Sequence, residues 1–387
     1  FQALYEREPE KKYVGIATDI IVFKAYTPLI KNGRVVDVSE IGSIDISKVS
    51  VTEAVLWLDS FIFSKPRIRP TAEDLKWRFG PSSPTYAIAV DELRALWSEV
   101  EDQSDVKLKL NLWARSMEIV YGSKPKLISF IDHTYLVTLV KLIVYLRLSG
   151  DNIVRESRIR RALTGEYFAS YGILNLIEED FFTWILHPKI ADRALKLTCN
   201  IAKELLRYDL SQVDEDFFKE IYQEIVERGQ RHRIGEYYTP EWLTELILKE
   251  VMSLWKEKSV RPPRILDPAC GSGTFLCNAI HMLKEELSIS GWSPERILDF
   301  ILSNIVGVDI NPLAVTIARA NYLIALGDLL YLGKPITIPI YVADSIKLPK
   351  VTRTLLEDIN TYEYKVDDVS IQMPIEIAKD RGRLSHI

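Results

Sequence analysis

Apolar residues along the chain follow three successive patterns. Up to about residue 75, short β-branched and aromatic runs such as Tyr13–Thr18 predict strands, and Asn32-Gly33 is typical of a hairpin turn. Further along, apolar residues recur at helical spacing, and after residue 231 short apolar runs alternate with helical segments. We therefore predict a small mixed-sheet unit at 1–80, a helical domain at 84–230 and an α/β region at 231–387.

The helical domain is expected to follow a short linker, Pro81-Ser82-Ser83-Pro84. Its most apolar stretch, Tyr135–Leu148, is about 14 residues long and contains Lys141 and Arg147, whereas a membrane span needs roughly 20 residues. We interpret this stretch as a buried helix. The segments with helical periodicity are Ala87–Glu101, Lys107–Ile119, Thr134–Leu148, Phe181–Trp184 with its neighbours, and Ile190–Leu206.

In the α/β region, Thr239-Pro240 predicts a helix start, with Thr239 as the N-cap and Pro240 in the first helical position. An apolar series continues this helix: Leu243, Leu246, Ile247, Val251 and Leu254. The strands predicted next are Arg264–Leu266, Ile305–Val308 and Ile336–Val342, and the helices between and around them are Thr274–Leu287, Pro294–Asn304 and Pro312–Leu326. This alternation indicates the first half of a doubly wound parallel sheet.

Composition narrows the class of protein. The chain has 387 residues, 47% of them apolar, which is enough for a core in each unit and excludes a disordered or low-complexity chain. A net charge of −5 gives no overall preference for an acidic or basic partner. Three scattered cysteines make no disulfide framework and no secretory leader opens the chain, so we expect a cytoplasmic protein with no membrane association.

Candidate chemistry lies at the ends of the three predicted strands. The first is followed by Asp267-Pro268-Ala269-Cys270-Gly271-Ser272-Gly273-Thr274-Phe275, where glycines and a helix N-terminus favour an anionic ligand group. The second ends in Asp309, which is placed to accept the hydroxyls of a ribose. The third ends in Ala343-Asp344-Ser345. Parallel strands bring these positions to one edge, so we predict one ligand-binding crevice.

Together these motifs resemble those of the DNA methyltransferases that use S-adenosylmethionine to methylate the exocyclic amino group of adenine. Gly235-Glu236-Tyr237-Tyr238-Thr239-Pro240, the Asp267-to-Phe275 motif, the acidic strand end and Ala343-Asp344-Ser345 occur in the order of that family. The resemblance implies a Rossmann-like α/β fold, S-adenosylmethionine as cofactor, double-stranded DNA as partner and a role in a restriction-modification system.

The resemblance also implies roles for individual residues. Tyr238, Thr239 and Pro240 would hold the methionine end of the cofactor, and Asp267, Ala269, Gly271 and Gly273 would surround its amino and carboxylate groups. Asp309 would bind the ribose hydroxyls, Ile310 would pack on the adenine, and Asp344 would accept a bond from the adenine amino group. Thr239 could instead be only a helix cap, and Asp344 only a turn residue.

The first two regions resemble parts of large restriction-modification enzymes that join nuclease, helical connector and methyltransferase in one chain. The first 80 residues could then be the remnant of a nuclease domain. Glu10-Lys11-Lys12 fits a fragment of a magnesium site, although a solvated charged surface is the more ordinary interpretation, so Mg²⁺ is expected only if a nuclease is attached. His133 is interpreted as a core histidine.

No catalytic residue is assigned, because the Asn-Pro-Pro-aromatic motif that the family uses on the target adenine does not occur here. The only Asn-Pro, Asn311-Pro312, belongs to the second strand end. We also find no further strand pair after Ala343, which would leave the first strand at an exposed edge. The expectation is a methyltransferase domain that continues beyond Ile387.

Several alternatives remain at this point. The chain could belong to the modification subunit of a multi-subunit restriction enzyme, or be a non-catalytic S-adenosylmethionine-binding module; RNA and protein methyltransferases share the cofactor half of the fold. Two arginine clusters could contact DNA phosphates, but their acidic neighbours favour solvated helix faces. The clusters are Arg155/Arg158/Arg160/Arg161 and Arg228/Arg231/Arg233. The DNA recognition sequence and the oligomeric state do not follow from the sequence.

Overall fold

The structure is a computed structural model. It describes residues 1–7, 13–31, 33–62, 67–176, 181–213, 215–225, 239–258, 263–346, 350–353, 360–366 and 369–374.

Helices and strands are numbered here in chain order. The helices are α1 (Gln2–Arg7), α2 (Val51–Ile62), α3 (Ala72–Phe79), α4 (Pro84–Val100), α5 (Ser104–Tyr121), α6 (Leu127–Ser149), α7 (Glu156–Thr164), α8 (Glu166–Ser170), α9 (Ala191–Leu205), α10 (Glu215–Ile225), α11 (Glu241–Lys258), α12 (Thr274–Ile289), α13 (Pro294–Asn304) and α14 (Pro312–Leu326). Short 3₁₀ helices cover Phe181–Leu186, Leu210–Gln212 and Gly327–Leu332. The strands are β1 (Gly15–Thr18), β2 (Val22–Lys31), β3 (Arg34–Asp45), β4 (Ile265–Asp267), β5 (Ile305–Asp309), β6 (Ile340–Val342), β7 (Lys350–Arg353), β8 (Asn360–Val366) and β9 (Val369–Pro374).

The first unit is built on an antiparallel sheet with strand order β1-β2-β3. The predicted strands are present, and Gly33 has a positive φ of 74° at the turn between β2 and β3, while Asn32 lies outside the described residues. The sequence pattern did not predict the helices α2 and α3 in this unit. The burial of Leu75 and Phe79 on α3 places that helix in the core that continues into α4.

The predicted linker begins a helix. Ser83 is the N-cap of α4, where its side chain accepts a hydrogen bond from the N–H of Tyr86, and Pro84 takes the first helical position. Since α3 packs on α4 across this stretch, residues 81–84 form a tight connection between two packed helices. The division of the chain near residue 80 stays a prediction.

The α/β region contains a parallel sheet with strand order β4-β5-β6, as the alternation of strands and helices predicted. Asp267 is in register with Gly307, and Asp309 with Val342, so all three strands end at the same edge. The helix α14 packs against β5, β6 and α12, and also against α6 and α10 of the helical region. One continuous core therefore joins the helical region to the sheet.

Among the residues that the structure describes, two helices are long and apolar enough to cross a membrane by length and composition. They cover Leu127–Ser149 and Pro312–Leu332, and 78% of the most apolar window of each is buried within the protein. The first is longer than the stretch of about 14 residues that the sequence suggested. Both are surrounded by other elements, and a helix buried on all sides is apolar on all sides. Their hydropathy is thus explained by internal packing.

The helical region also meets the sheet region through hydrogen bonds. The segment before β6 pairs with residues after α8, where Ile336 donates its N–H to the carbonyl of Gly172 at 2.8 Å. Asn175 makes two buried bonds to one residue: its amide donates to the carbonyl of Ile338 at 2.9 Å and its Oδ1 accepts from the N–H of Ile338 at 2.7 Å. These bonds fix the approach to β6 from the helical side.

One expectation for the α/β region is wrong. Strands do follow Ala343: β7, β8 and β9 form an antiparallel sheet of their own, and within the described residues β4 pairs with β5 alone. Along α11 the buried positions are Thr244, Leu248 and Met252, and the apolar series that predicted this helix lies mostly on its exposed side. Four of the five predicted residues are exposed: Leu246, Ile247, Val251 and Leu254.

Candidate cofactor site

The loop between β4 and α12 forms the first wall of the candidate site. Asp267 ends β4, and its Oδ1 accepts a bond from the N–H of Ala269 at 3.1 Å. Cys270 then turns back onto the sheet, donating its N–H to the carbonyl of Val308 in β5 at 2.9 Å. Its own carbonyl accepts from Gly273 at 2.8 Å, which closes a tight turn directly before α12.

Asp309 at the end of β5 holds this loop from the side. Its Oδ2 accepts the N–H of Gly271 at 2.8 Å, and its Oδ1 accepts the N–H of Asn311 at 2.9 Å. A carboxylate oxygen has two lone pairs, so each oxygen of Asp309 can accept one further bond. Asp309 therefore connects two strand ends and retains acceptor capacity for a ligand hydroxyl.

Three glycines permit this geometry. Gly271 has a φ of 52°, and a Cβ built on it would meet no protein atom within 4 Å, so its α-carbon faces open space. Gly273 has a φ of 87° and lies against Ala318 on α14. A Cβ on Gly307 in β5 would lie 2.6 Å from the Cδ1 of Leu276 and 3.0 Å from the Sγ of Cys270, so the loop can cross β5 closely only over glycine.

The site is electrostatically acidic at its base. Burial raises the pKa of Asp267, and the nearby charge of Asp309 acts in the same direction, while the N–H of Ala269 acts against both. Burial raises the pKa of the Cys270 thiol well above its usual range, so the thiol stays protonated at neutral pH. Cys270 consequently behaves as a packing residue of the loop.

The first turn of helix α12 has no side-chain cap. Its N-cap is Gly273, which has no side chain to accept the N–H groups of the first turn. Ser272 Oγ and Asn321 Oδ1 are buried and have no hydrogen-bond partner among the described residues, although the Asn321 amide does donate to the Ser272 carbonyl at 2.9 Å. Buried polar atoms normally have partners, so the loop has capacity for a bound water or ligand group.

The Thr239-Pro240 prediction is wrong by one residue. Helix α11 begins at Glu241, and the carbonyl of Pro240 accepts the first helical bonds, from Leu243 at 3.0 Å and Thr244 at 3.2 Å. Pro240 therefore precedes the helix. The side chain of Thr244 accepts a bond from Asn278 on α12 at 2.9 Å, which brings the start of α11 beside the start of α12. Tyr238 lies outside the described residues.

Ile310 and Asp344 follow β5 and β6 at the same edge. Ile310 is 38% exposed. The N–H of Ala343 donates to the carbonyl of Asp309 at 3.0 Å, so the end of β6 lies directly beside the end of β5. Asp344 accepts the N–H of Ile346 at 3.0 Å in a local turn. The described strand-end residues are thus brought to one edge, as predicted.

The structure also shows the surroundings of a predicted core histidine and of one arginine cluster. His133 is 2% exposed and accepts a bond from the indole of Trp113 at 3.3 Å, which confirms a hydrogen-bonded core histidine. Three arginines of the first cluster face acidic partners: Arg158 pairs with Asp151, Arg160 with Asp192 and Arg161 with Glu166. This favours the interpretation as solvated helix faces. Glu10-Lys11-Lys12 and the cluster Arg228/Arg231/Arg233 lie outside the described residues.

Metal ligation was expected only with an attached nuclease. Among the residues that the structure describes, no group of three or more His, Cys, Asp or Glu side chains is arranged to hold a metal ion.

Sequence patterns did not reveal two residues that support the site. Asn311 caps α14, its Oδ1 accepting from Leu313 at 3.0 Å, and its amide donates to the hydroxyl of Tyr222 on α10 at 2.9 Å. An asparagine before Pro312 is a recognisable N-cap signal, but the partner on α10 is distant in the sequence and carries no local signal.

Comparison with known proteins finds a family match over part of the chain. Residues 213–359 match the model of the N-6 DNA methylase family. This range contains β4, β5, β6 and the loop that connects β4 to α12. The match confirms the resemblance to adenine-specific DNA methyltransferases that the motifs indicated.

Curated relatives agree with the family match over limited stretches. A protein of Methanocaldococcus jannaschii named as a type II restriction enzyme and methyltransferase is 27% identical over 171 residues, which cover 30% of this chain and 14% of that protein. The adenine-specific methyltransferase PglX of Streptomyces coelicolor is 33% identical over 112 residues, covering 28% of this chain and 9% of PglX. The chain thus matches a small part of the length of each relative.

A solved structure of a DrdV–DNA complex aligns with 88% of this chain and 31% of that chain, at 14% sequence identity and a TM-score of 0.47.

Proposed function

We propose that this chain carries the cofactor-binding part of a DNA methyltransferase that transfers a methyl group from S-adenosylmethionine to the exocyclic amino group of adenine. The observation that carries this proposal is the loop from Asp267 to Gly273, which Asp309 ties to the next strand end. This loop lies inside the region that matches the N-6 DNA methylase family. The parallel strands β4, β5 and β6 would then be the first half of a Rossmann-like sheet.

The residues present fit S-adenosylmethionine. The open space at Gly271 leaves room for a ligand against the backbone, and the uncapped first turn of α12 offers N–H donors to a carboxylate. Asp309 has lone pairs for ribose hydroxyls, and the buried Ser272 Oγ has no hydrogen-bond partner within the part of the chain that the structure describes. The site therefore combines donors for the anionic end of the cofactor with acceptors for its sugar.

Individual roles follow from this fit and from the family motifs. We assign the methionine end to Tyr238, Thr239 and Pro240, and its amino and carboxylate groups to the loop residues Asp267, Ala269, Gly271 and Gly273. The ribose is assigned to Asp309, and the adenine to Ile310 and Asp344. When bound, S-adenosylmethionine supplies an electrophilic methyl group; the residues named here bind it and orient it.

The full proposed activity involves more than the cofactor-binding residues. Double-stranded DNA is the proposed partner, within a restriction-modification system of the cytoplasm, and the name of the Methanocaldococcus jannaschii relative joins restriction and methyltransferase functions in one protein. We propose the same fused arrangement here, with Mg²⁺ needed only by a nuclease. In this proposal the residues named above bind the cofactor, and none of them is assigned to activating the adenine.

A calorimetric titration of the 387-residue chain with S-adenosylmethionine tests the proposal. We expect saturable one-to-one binding, and at least tenfold weaker binding by Asp309→Ala, because that change removes both the ribose acceptor and the bond to Gly271. Thermal unfolding of both proteins measures how far the substitution disturbs the fold. The absence of binding by the folded, unsubstituted chain would contradict the proposed function.

A further inference from the structure

A tyrosine of the helical region reaches the edge of the sheet where the candidate site lies. Tyr222 on α10 is fully buried, and its hydroxyl accepts a hydrogen bond from the side-chain amide of Asn311 at 2.9 Å. Asn311 is itself 3% exposed and follows β5 by two residues. The contact is therefore a buried polar link between the helical region and the turn that carries Asp309.

Asn311 passes this contact on to its neighbours. Its Oδ1 accepts from the N–H groups of Leu313 and Ala314 and caps α14, while its own N–H donates to Asp309 Oδ1 at 2.9 Å. The other oxygen of Asp309 accepts the N–H of Gly271 at 2.8 Å. Tyr222, Asn311, Asp309 and Gly271 thus form one continuous series of hydrogen bonds that ends in the loop before α12.

Such a series fixes geometry more strongly than its members would separately. A buried amide that loses its partner must pay a desolvation penalty or rotate toward another one. Rotation of the Asn311 side chain would also disturb the cap of α14 and the N–H that Asp309 accepts. The hydroxyl of Tyr222 consequently selects one arrangement of the turn from Asp309 to Asn311.

We propose that Tyr222 is a positioning residue for the cofactor site, which makes cofactor affinity depend on the docking of α10 against α14. This inference rests on the proposed function. It assigns to the helical region a second task beyond connecting domains: displacement of α10 releases Asn311, loosens the Asp309 turn and weakens cofactor binding.

The test compares two variants of the protein, each of which lacks the buried hydroxyl of one tyrosine. Tyr222→Phe removes the bond to Asn311 at the carboxyl end of β5. Tyr322→Phe is the matched control, because Tyr322 is also fully buried and its hydroxyl donates to the carbonyls of Ile301 in α13 and of Ile305 at the amino end of β5. Titration with S-adenosylmethionine and thermal unfolding are measured for both variants of the full chain.

We expect both variants to unfold at a lower temperature, and Tyr222→Phe alone to bind S-adenosylmethionine about fivefold to tenfold more weakly. The double variant Tyr222→Phe/Asn311→Ala should bind no more weakly than Asn311→Ala, because the hydroxyl acts through Asn311. Equal affinities of the two tyrosine variants, or additive losses in the double variant, would overturn the inference while leaving the proposed function intact. If the unsubstituted chain fails to bind, both fall together.

Discussion

The two glycines of the β4–α12 loop have different surroundings, although both have positive φ angles. A Cβ at Gly271 would meet no protein atom within 4 Å, whereas a Cβ at Gly273 would lie 3.3 Å from the Cβ of Ala318. Backbone strain is therefore common to both positions, and steric conflict with the protein belongs to Gly273 alone. The open space at Gly271 is where we place the methionine end of the cofactor.

Alanine substitutions should separate these two effects. Gly271→Ala should lower stability by about 1 kcal/mol through strain and weaken S-adenosylmethionine binding by more than tenfold, because the new methyl group enters the ligand space. Gly273→Ala should lower stability at least as much with a smaller loss of affinity. Urea unfolding and calorimetric titration measure the two quantities. Affinity losses that simply follow the stability losses would count against the placement of the ligand.

His133 gives the core a dependence on pH. Burial lowers its pKa to about 3, while an unfolded histidine has a pKa near 6.5. Below pH 6.5 the unfolded chain binds a proton that the folded chain does not, so this group destabilises the fold progressively as the pH falls from 6.5 toward 3. Above pH 6.5 both states are neutral and the effect vanishes.

Between pH 7 and pH 5 this single group should remove about 2 kcal/mol of stability. His133→Gln keeps an acceptor for the Trp113 indole and does not titrate, so it should lose correspondingly less over the same interval. Urea unfolding of both proteins at the two pH values gives the difference. If the two proteins respond equally to pH, His133 is protonated in the folded state or is not buried.

At the scale of elements, Asn175 joins the helical region to the segment before β6. Its side chain satisfies both backbone groups of Ile338, which is fully buried. Removing it leaves the buried N–H of Ile338 unpaired at a cost of about 1 to 3 kcal/mol, whereas the carbonyl of Ile338 keeps the bond it accepts from the N–H of Ile340 at 2.9 Å.

We therefore expect Asn175→Ala to destabilise the protein by about 1 to 3 kcal/mol. Asn152→Ala is the control, because Asn152 is exposed and its Oδ1 accepts a single bond from Arg67; its effect should stay within about 0.5 kcal/mol. The midpoints of urea unfolding report both. Similar small shifts for the two variants would show that Asn175 does not join these elements.

The sequence predicted which segments form helices and strands better than it predicted which of their faces are buried. Alternating apolar runs and helical segments located β4, β5 and β6 and the helices between them, because local periodicity determines these elements. The same reasoning predicted helix α11 from an apolar series in which Leu246 and Val251 are exposed. Helical spacing identifies an amphipathic helix, whereas the buried face depends on which element packs against it, which a single segment does not encode.

For the candidate site, too, the sequence predicted local features and not the contacts between distant segments. The acidic strand ends and the loop glycines could be located from the motifs, since parallel strands must end at one edge. The contact between Tyr222 and Asn311 could not be predicted, because α10 and α14 are distant in the sequence and meet only in the folded protein. Likewise, the need for glycine at position 307 arises from Leu276 and Cys270 crossing above it.

At the scale of the whole molecule, the helical region covers the parallel sheet as well as preceding it. The helix α14 is buried from Leu313 to Leu326 except at Thr316, since the sheet packs on one side and α6 and α10 on another. The candidate site thus lies at an edge formed by both regions. Cofactor binding should accordingly be felt in the loop, in the Asp309 turn and at the start of α14.

Hydrogen–deuterium exchange of the full chain, with and without S-adenosylmethionine, tests this account most directly because it locates the ligand without any substitution. We predict slower exchange in peptides that cover 267–276 and 309–314 when the cofactor is present, and no change in β1, β2 and β3. Protection confined to other segments, or saturable binding with no protection of these two, would contradict the placement of the cofactor on the loop that Asp309 holds.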